Sequence, residues 1–383
     1  MATLMLVAKA ADCMTDSFAK PSDIMTCLRT QSVDKLLRSS VINSSMAHNL
    51  LVLSWLPTKD GKFIHDEPAK LMLNHTFLSS TVLKDVDVLV GVNNNEGGIL
   101  YDLAVMFDRL LNTTYVKQLF QPAPYDTDVL PMVTNLTLGH HDPHVDDVIG
   151  FTYTYLRPNA TMSLPQYQVF ETYGDPAFYV PAILFSRVHD MFKTDKKTYL
   201  YLFDHYPSFT RDSPVKGMMH GMDIRYLFGQ LDSNNTNITS EEYQLADKFT
   251  AFIGAFAKSG DPNSVLETQL AMPWPEFDVS NEYYLSFNVN MSIGRHLYSK
   301  RASLWLDLVP RLNEGPSPVL QPTTHSSAPT SSPPSPGCPD NSRVAVIAMG
   351  SSLGALTVVL VVTVTCFCIK SRSSHDQQSF SLY

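Results

Sequence analysis

The chain has 383 residues, of which 44% are hydrophobic and 17% charged, and its formal net charge is −9 at pH 7. This composition predicts a folded protein with room for one large α/β domain plus accessory segments, or for two ordinary domains. The acidic balance, without a basic stripe interleaved with aromatic residues, argues against a nucleic-acid partner. The five cysteines show no spacing typical of zinc sites and the segment 140–144 (HHDPH) is read as a solvated loop, so we expect neither a metal nor a cofactor.

Short hydrophobic runs alternate with helical patterns along the first 314 residues. The runs at 87–92, 198–203 and 283–287 predict buried strands. The helical patterns lie at 98–111, 181–192 and 241–258, and a Gly-Asp-Pro sequence stops the last one. Strands alternating with helices predict an α/β sheet. Three strands are few for a domain of this size, so the sequence predicts an incomplete sheet.

The C-terminal segments predict a membrane anchor. Residues 344–369 carry no charged side chain, and at about 1.5 Å per residue such a helix exceeds a hydrocarbon core of about 30 Å. Lys370 and Arg372 follow at once, whereas only Arg343 precedes, so the positive-inside rule puts 370–383 in the cytoplasm and 1–343 outside. Residues 315–343, rich in Pro, Ser and Thr, should form an extended stalk. We therefore expect a single-pass type I protein of the plasma membrane.

Asn-x-Ser/Thr sequons occur only before the predicted membrane helix. Each alone is a weak signal, but together with the predicted topology they indicate an extracellular glycoprotein. The candidate N-glycosylation sites are Asn43, Asn74, Asn112, Asn135, Asn159, Asn234, Asn237 and Asn290.

Six short segments, taken in order, resemble those of a known enzyme family. They are Cys13 with Cys27 in IMTCLR, 60–63 (DGKF), 90–97 (VGVNNNEG), 217–229 (GMMHGMDIRYLFG), 256–263 (FAKSGDPN) and 273–275 (PWP). In this order they are similar to the cholinesterase and carboxylesterase (type B) family of α/β-hydrolases, over about residues 6–310. The resemblance implies that residues 1–314 form the C-terminal part of an α/β-hydrolase fold.

The resemblance also implies a catalytic pair and a disulfide. It assigns the orienting carboxylate of a Ser-Glu-His triad to Glu96 and the general base to His220, and it joins Cys13 to Cys27. A serine nucleophile needs a base within hydrogen-bond reach and a carboxylate that orients this base. α/β-Hydrolases present the three groups in the order Ser, Asp or Glu, His, which the two residues follow. A lone Glu and a lone His are more often ordinary surface residues; the surrounding motifs favour catalysis.

The serine of this triad has no counterpart in the chain. The family carries Gly-x-Ser-x-Gly upstream of the Cys13 loop, and its glycine-rich oxyanion segment lies further upstream still. Residues 350–354 (GSSLG) match the pattern literally but fall inside the predicted membrane helix and after His220. Residues 1–9 (MATLMLVAK) lack the features of a signal peptide, which agrees with an incomplete sequence. We therefore expect these 383 residues alone to be inactive.

Two functions remain open on the sequence. One is a membrane-anchored carboxylesterase-like serine hydrolase, acting on a small ester once the missing half supplies the nucleophile. The other is an inactive adhesion protein similar to neuroligins, with a neurexin-like partner and a PDZ protein at residues 381–383 (SLY), although an unbound tail is the simpler expectation. Cys338 in the stalk would link two chains as a dimer or stay a free or capped thiol. A short, inactive isoform would expose a strand edge and fold poorly alone.

Overall fold

The computed structural model describes residues 7–14, 20–40, 59–121, 125–155, 164–231, 237–264 and 273–314. The predicted stalk, membrane helix and tail lie outside these ranges, as do the sequons at Asn43, Asn159 and Asn234. Among the helices in the described ranges, none combines the length and the apolar character that a membrane crossing requires.

In the part of the chain that the structure describes, four strands form one mixed sheet whose spatial order follows the chain. They are β1 (Val88–Asn93), β2 (Thr198–Phe203), β3 (Tyr283–Phe287) and β4 (Ser292–Arg295). β1 and β3 flank β2 in parallel, and β4 pairs antiparallel with β3. β2 is buried along its whole length, as expected for a central parallel strand covered on both faces. The three predicted strands are confirmed to within one residue, whereas β4 was not predicted.

Helices cover the sheet and extend beyond it. In chain order they are α1 (Pro21–Thr30), α2 (Val33–Ser40), α3 (Pro68–Met72), α4 (His75–Ser80), α5 (Ile99–Leu111), α6 (Tyr115–Leu119), α7 (Leu130–Leu138), α8 (Pro143–Tyr155), α9 (Leu164–Gly174), α10 (Val180–Phe192), α11 (Asp223–Leu227), α12 (Ser240–Ser259), α13 (Ser299–Ser303) and α14 (Val309–Glu314). The predicted helices are confirmed as α5, α10 and α12. Of the π-helical turns in the described ranges, Asp175–Tyr179 runs without a break from α9 into α10, and Leu304–Leu308 from α13 into α14.

The alternation of side chains along β2 separates two apolar layers. Leu200 and Leu202 face α10, where they pack with the valines of β1 and with Ile183. The other face of the sheet carries the aromatic residues of β2, which pack against α12 and β3. This layer contains Tyr199, Tyr201, Phe203, Phe249, Phe252, Trp274 and Phe287. Full burial of one such side chain contributes about 1.5–3 kcal/mol, so both layers hold the sheet between α10 and α12.

Two further apolar clusters complete the described part of the chain. In the larger one, the helices from α5 through α9 pack against the C-terminal helical segment, through residues such as Phe107, Tyr153 and Trp305. The smaller one lies near the N-terminus, where a disulfide joins Cys13 to Cys27 and Ile24 packs nearby.

Candidate active site

Glu96 and His220 contact each other beyond the carboxyl ends of β1 and β2. Nδ1 of His220 lies 2.7 Å from Oε2 of Glu96. Only 6% of the Glu96 side chain is exposed, whereas His220 keeps 28% of its side chain exposed. Because an ionised carboxylate can only accept a hydrogen bond, we assign the proton to Nδ1, and Nε2 then carries the lone pair. The arrangement is that of a base oriented by an acid.

The turn that carries Glu96 is fixed by its own backbone. Oε1 of Glu96 accepts a hydrogen bond from the backbone N–H of Asn93, the last residue of β1, at 2.7 Å. Oδ1 of Asn95 accepts from the N–H of Gly98 at 3.0 Å and caps the short 3-10 turn that follows. A Cβ at Gly97 would lie 1.8 Å from a backbone oxygen of α9, so only glycine allows this close approach.

The loop that carries His220 is tied to the same turn by three consecutive asparagines. Oδ1 of Asn94 accepts from the N–H of Met218 at 2.7 Å. Nδ2 of Asn95 donates to the carbonyl of Lys216 at 2.6 Å, and Nδ2 of Asn93 donates to the backbone of the same loop at 3.2 Å. The sequence identified these asparagines only as part of a loop. A run of three amide side chains at the end of a buried strand is the signal that could have revealed their role.

Burial and charge shift both groups of the pair. Burial raises the pKa of Glu96, and the hydrogen bond to His220 offsets part of that effect. Burial acts to lower the pKa of His220. The hydrogen bond from His220 to Glu96 and the negative charges of Glu96 and Asp223 act in the opposite direction. Together they outweigh burial and hold the pKa above its ordinary value. Asp223 itself accepts hydrogen bonds from Asn93 at 3.1 Å and from Tyr201 at 3.2 Å. A carboxylate that stabilises the imidazolium is what a general base of this type requires.

Two neighbouring residues of the π-helical turn Asp175–Tyr179 touch the two members of the pair. The ring of Phe178 lies 4.5 Å from the imidazole of His220, measured between ring centroids. The hydroxyl of Tyr179 hydrogen-bonds to the turn that carries Glu96. Sequence reasoning missed both residues, because a helical pattern gives no sign of the extra residue in a π-turn.

A second histidine–carboxylate pair has a different arrangement. Nε2 of His205 lies 3.0 Å from Oε1 of Glu242, and its Nδ1 lies 3.4 Å from Oδ1 of Asn288. The carboxylate also accepts hydrogen bonds from the hydroxyl of Tyr226 and the N–H of Ser208. With both ring nitrogens engaged and the two side chains 11% and 2% exposed, this pair ties the loop after β2 to α12 and has no free lone pair for catalysis.

The remaining candidate residues lie apart from this site. Within the described ranges, no group of three or more His, Cys, Asp or Glu side chains could hold a metal ion. In the segment 140–144, Nε2 of His141 lies 2.7 Å from Asp146 in the first turn of α8. Of the predicted glycosylation sites in the described ranges, all are exposed: Asn74, Asn112, Asn135, Asn237 and Asn290.

Comparison with known proteins places these features in a family context. A sequence model of the carboxylesterase family matches residues 1–305. The chain is similar to carboxylesterase 5A of Mus musculus, with 28% identity over 330 residues that cover 84% of this chain and 50% of that protein. It is similar to acetylcholinesterase of Bungarus fasciatus, with 24% identity over 298 residues, 77% of this chain and 46% of that protein. It is also similar to cocaine esterase of Homo sapiens, with 27% identity over 326 residues that cover 80% of this chain and 51% of that protein.

The chain spans about half the length of these curated relatives. The family match nevertheless extends over most of this chain and includes the sheet, both apolar layers and the two loops that meet at the acid–base pair. The chain therefore belongs to the carboxylesterase family.

Proposed function

We propose that this chain supplies the acid and the base of a serine hydrolase that cleaves carboxylic esters. The contact of 2.7 Å between His220 and a buried Glu96 carries the proposal, since it leaves Nε2 of a partly exposed imidazole as the proton acceptor. The sequence contains no Gly-x-Ser-x-Gly ahead of Glu96. We therefore propose that the serine is supplied from outside these 383 residues, and that this chain alone is inactive.

The chemistry follows from the roles of the two residues. Nε2 of His220 takes the serine proton as the serine oxygen attacks the ester carbonyl, and it returns that proton to the leaving alcohol. Water then enters in place of the alcohol and releases the acid by the same proton transfers. Glu96 keeps its negative charge throughout and stabilises the imidazolium. The relatives named above are esterases, which supports a carboxylic ester as the substrate.

The test compares variants of a full-length clone that contains this chain, with p-nitrophenyl acetate as the substrate. His220→Asn and Glu96→Gln should each lower kcat/KM by a factor of about 10²–10⁴, because either change removes the activated base. His141→Asn is the control, since His141 also contacts a carboxylate but lies in a different loop; it should retain activity. Full activity in the His220→Asn variant would refute the proposed chemistry.

We further propose that residues 344–369 anchor an N-glycosylated ectodomain in the plasma membrane, with 370–383 in the cytoplasm. The long, mostly apolar segment without a charged side chain, its basic flank and the exposure of the sequon asparagines in the described ranges support this. The full chain should resist alkaline carbonate extraction, and peptide N-glycosidase F should lower its apparent mass. Release of the full chain by carbonate would refute the anchor. A neurexin-like partner, a PDZ protein and a dimer stay predictions.

A further inference from the structure

We propose that Tyr179 is a positioning residue for the acid–base pair, because its hydroxyl closes the turn that carries Glu96 and so sets the contact between Glu96 and His220. The inference deepens the proposed function and rests on it. Neither the sequence motifs nor the family match draws attention to this tyrosine.

The hydroxyl of Tyr179 connects the two ends of the turn. It donates a hydrogen bond to the carbonyl oxygen of Asn93 at 2.7 Å and accepts one from the N–H of Glu96 at 3.2 Å. The N–H of Asn93 in turn donates to Oε1 of Glu96 at 2.7 Å. The backbone of this turn and the carboxylate therefore share one closed set of hydrogen bonds, and a phenol is the group that completes it.

Tyr179 is itself held firmly from several sides. It is only 2% exposed, and its ring packs edge-on against Tyr298 with 4.9 Å between ring centroids. The guanidinium of Arg301 in α13 lies 5.5 Å from the centre of the same ring. Phe178, the preceding residue, packs on His220 at 4.5 Å. One π-helical turn therefore fixes both members of the pair through adjacent side chains.

The protonation of the phenol suits this role. Burial raises the pKa of Tyr179 well above its ordinary value, and the nearby charge of Glu96 acts in the same direction. The hydroxyl thus keeps its proton across the pH range in which His220 titrates. A positioning residue must not change its hydrogen-bonding pattern while the base beside it gains and loses a proton.

Another buried tyrosine provides a matched control. Tyr125 is 1% exposed, and its hydroxyl lies 3.0 Å from Oγ1 of Thr172 between two helical segments. Replacing either tyrosine by phenylalanine removes one buried hydroxyl and leaves a polar partner without it. Both variants should lose stability, but only the change at Tyr179 removes a bond to the turn of Glu96.

The test measures the pKa of His220 by NMR in the full-length protein that contains this chain, labelled with ¹⁵N-histidine, with the signal assigned by its loss in His220→Asn. The wild type should titrate above the ordinary histidine value, and Glu96→Gln should lower the pKa. Tyr179→Phe should move it about 0.5–1 unit toward the Glu96→Gln value, whereas Tyr125→Phe should leave it unchanged. Urea unfolding of both phenylalanine variants checks that they are comparably folded.

The outcomes separate the two proposals. If Glu96→Gln lowers the pKa of His220 but Tyr179→Phe leaves it at the wild-type value, the role of Tyr179 is overturned and the acid–base pair stands. If Glu96→Gln changes nothing, the pair itself fails and with it the proposed function. Should Tyr179→Phe not fold, amide hydrogen exchange in the wild type decides: the N–H of Glu96 should be protected by the phenol oxygen, and rapid exchange at that amide would overturn the inference.

Discussion

Replacing Glu242 by glutamine should lower the free energy of unfolding by about 2–3 kcal/mol at pH 7. Glu242 lies in the first turn of α12, where it forms a capping box with Thr239. Its carboxylate also accepts hydrogen bonds from Ser208, Tyr226 and His205. Glutamine keeps the shape of the side chain but turns an N–H₂ group toward donors, so at least one hydrogen bond must be lost.

The magnitude follows from the shifted pKa of Glu242. Burial alone would raise the pKa, but the hydrogen bonds from Ser208, Thr239 and His205 lower it from 4.5 to about 2. At 1.36 kcal/mol per pH unit, this gap corresponds to about 3 kcal/mol above pH 4.5. The side chain is only 2% exposed, but Ser208, which donates to it, is half-buried, so solvent screening reduces the value to about 2–3 kcal/mol.

The pH dependence of this stabilisation has a definite sign. Because the folded protein holds the carboxylate ionised to lower pH than the unfolded chain does, the stabilisation is present above about pH 4.5 and is lost as the pH falls toward 2. Glu242→Gln lacks this titration. The stability difference between wild type and variant should therefore shrink by about 1–2 kcal/mol between pH 7 and pH 3.

Urea unfolding of the full-length protein that contains this chain, followed by tryptophan fluorescence at both pH values, measures the difference. The matched control is Glu241→Gln, the neighbouring residue in the same helical turn, whose side chain is exposed. Glu241→Gln should change the unfolding midpoint far less. Equal effects of the two substitutions, or a Glu242→Gln difference that does not depend on pH, would refute the reasoning.

Two further substitutions test how buried groups are held. Arg301→Met should destabilise the protein by about 3–5 kcal/mol in urea unfolding, because it leaves the buried carboxyl groups of Glu171 and Asp175 without their guanidinium partner; unchanged stability would contradict that pairing. Gly97→Ala should lower the free energy of unfolding by about 1–3 kcal/mol, because its Cβ would lie 1.8 Å from a backbone oxygen of α9. The control is Gly254→Ala in α12, where a Cβ meets nothing within 4 Å, and it should raise the free energy of unfolding by about 0.5–1 kcal/mol. Similar effects at the two glycines would contradict the close approach at Gly97.

The strands and the major helices could be predicted because their signals are local. In β2, the alternation of aromatic residues with Leu200 and Leu202 fills two different apolar layers, so every position from Tyr199 to Phe203 is hydrophobic and the run stands out. β4 lacks such a signal because it has only four residues, none of them buried, and Ile293 is its only large apolar side chain. A Cβ at Gly294 would lie 2.3 Å from the ring of Tyr284 on β3, so glycine is needed there although glycine normally weakens a strand.

The candidate site could be predicted only in part, for a related reason. Motifs located Glu96 and His220, which are separated by 124 residues along the chain and lie 2.7 Å apart in space. The groups that hold them could not be located in the same way. Tyr179 is positioned by a π-helical turn that follows α9. Asn94 and Asn95 find their hydrogen-bond partners in the loop after β2. Both arrangements depend on how these segments pack on the end of β1, and no local sequence pattern encodes that packing.

The carboxylate of Glu96 is oriented independently of any nucleophile. One of its oxygens accepts from the backbone of Asn93 and the other from His220, so each faces a single donor. Swinging the carboxylate away from the imidazole would also weaken its hold on the buried N–H of Asn93, and leaving such a group without a partner costs about 1–3 kcal/mol. Since Tyr179 closes the same turn, the orientation of the Glu96 carboxylate is fixed before a substrate binds. A serine brought near Nε2 would therefore meet a base whose orientation is already set, which is the condition under which acid–base catalysis loses least to reorganisation.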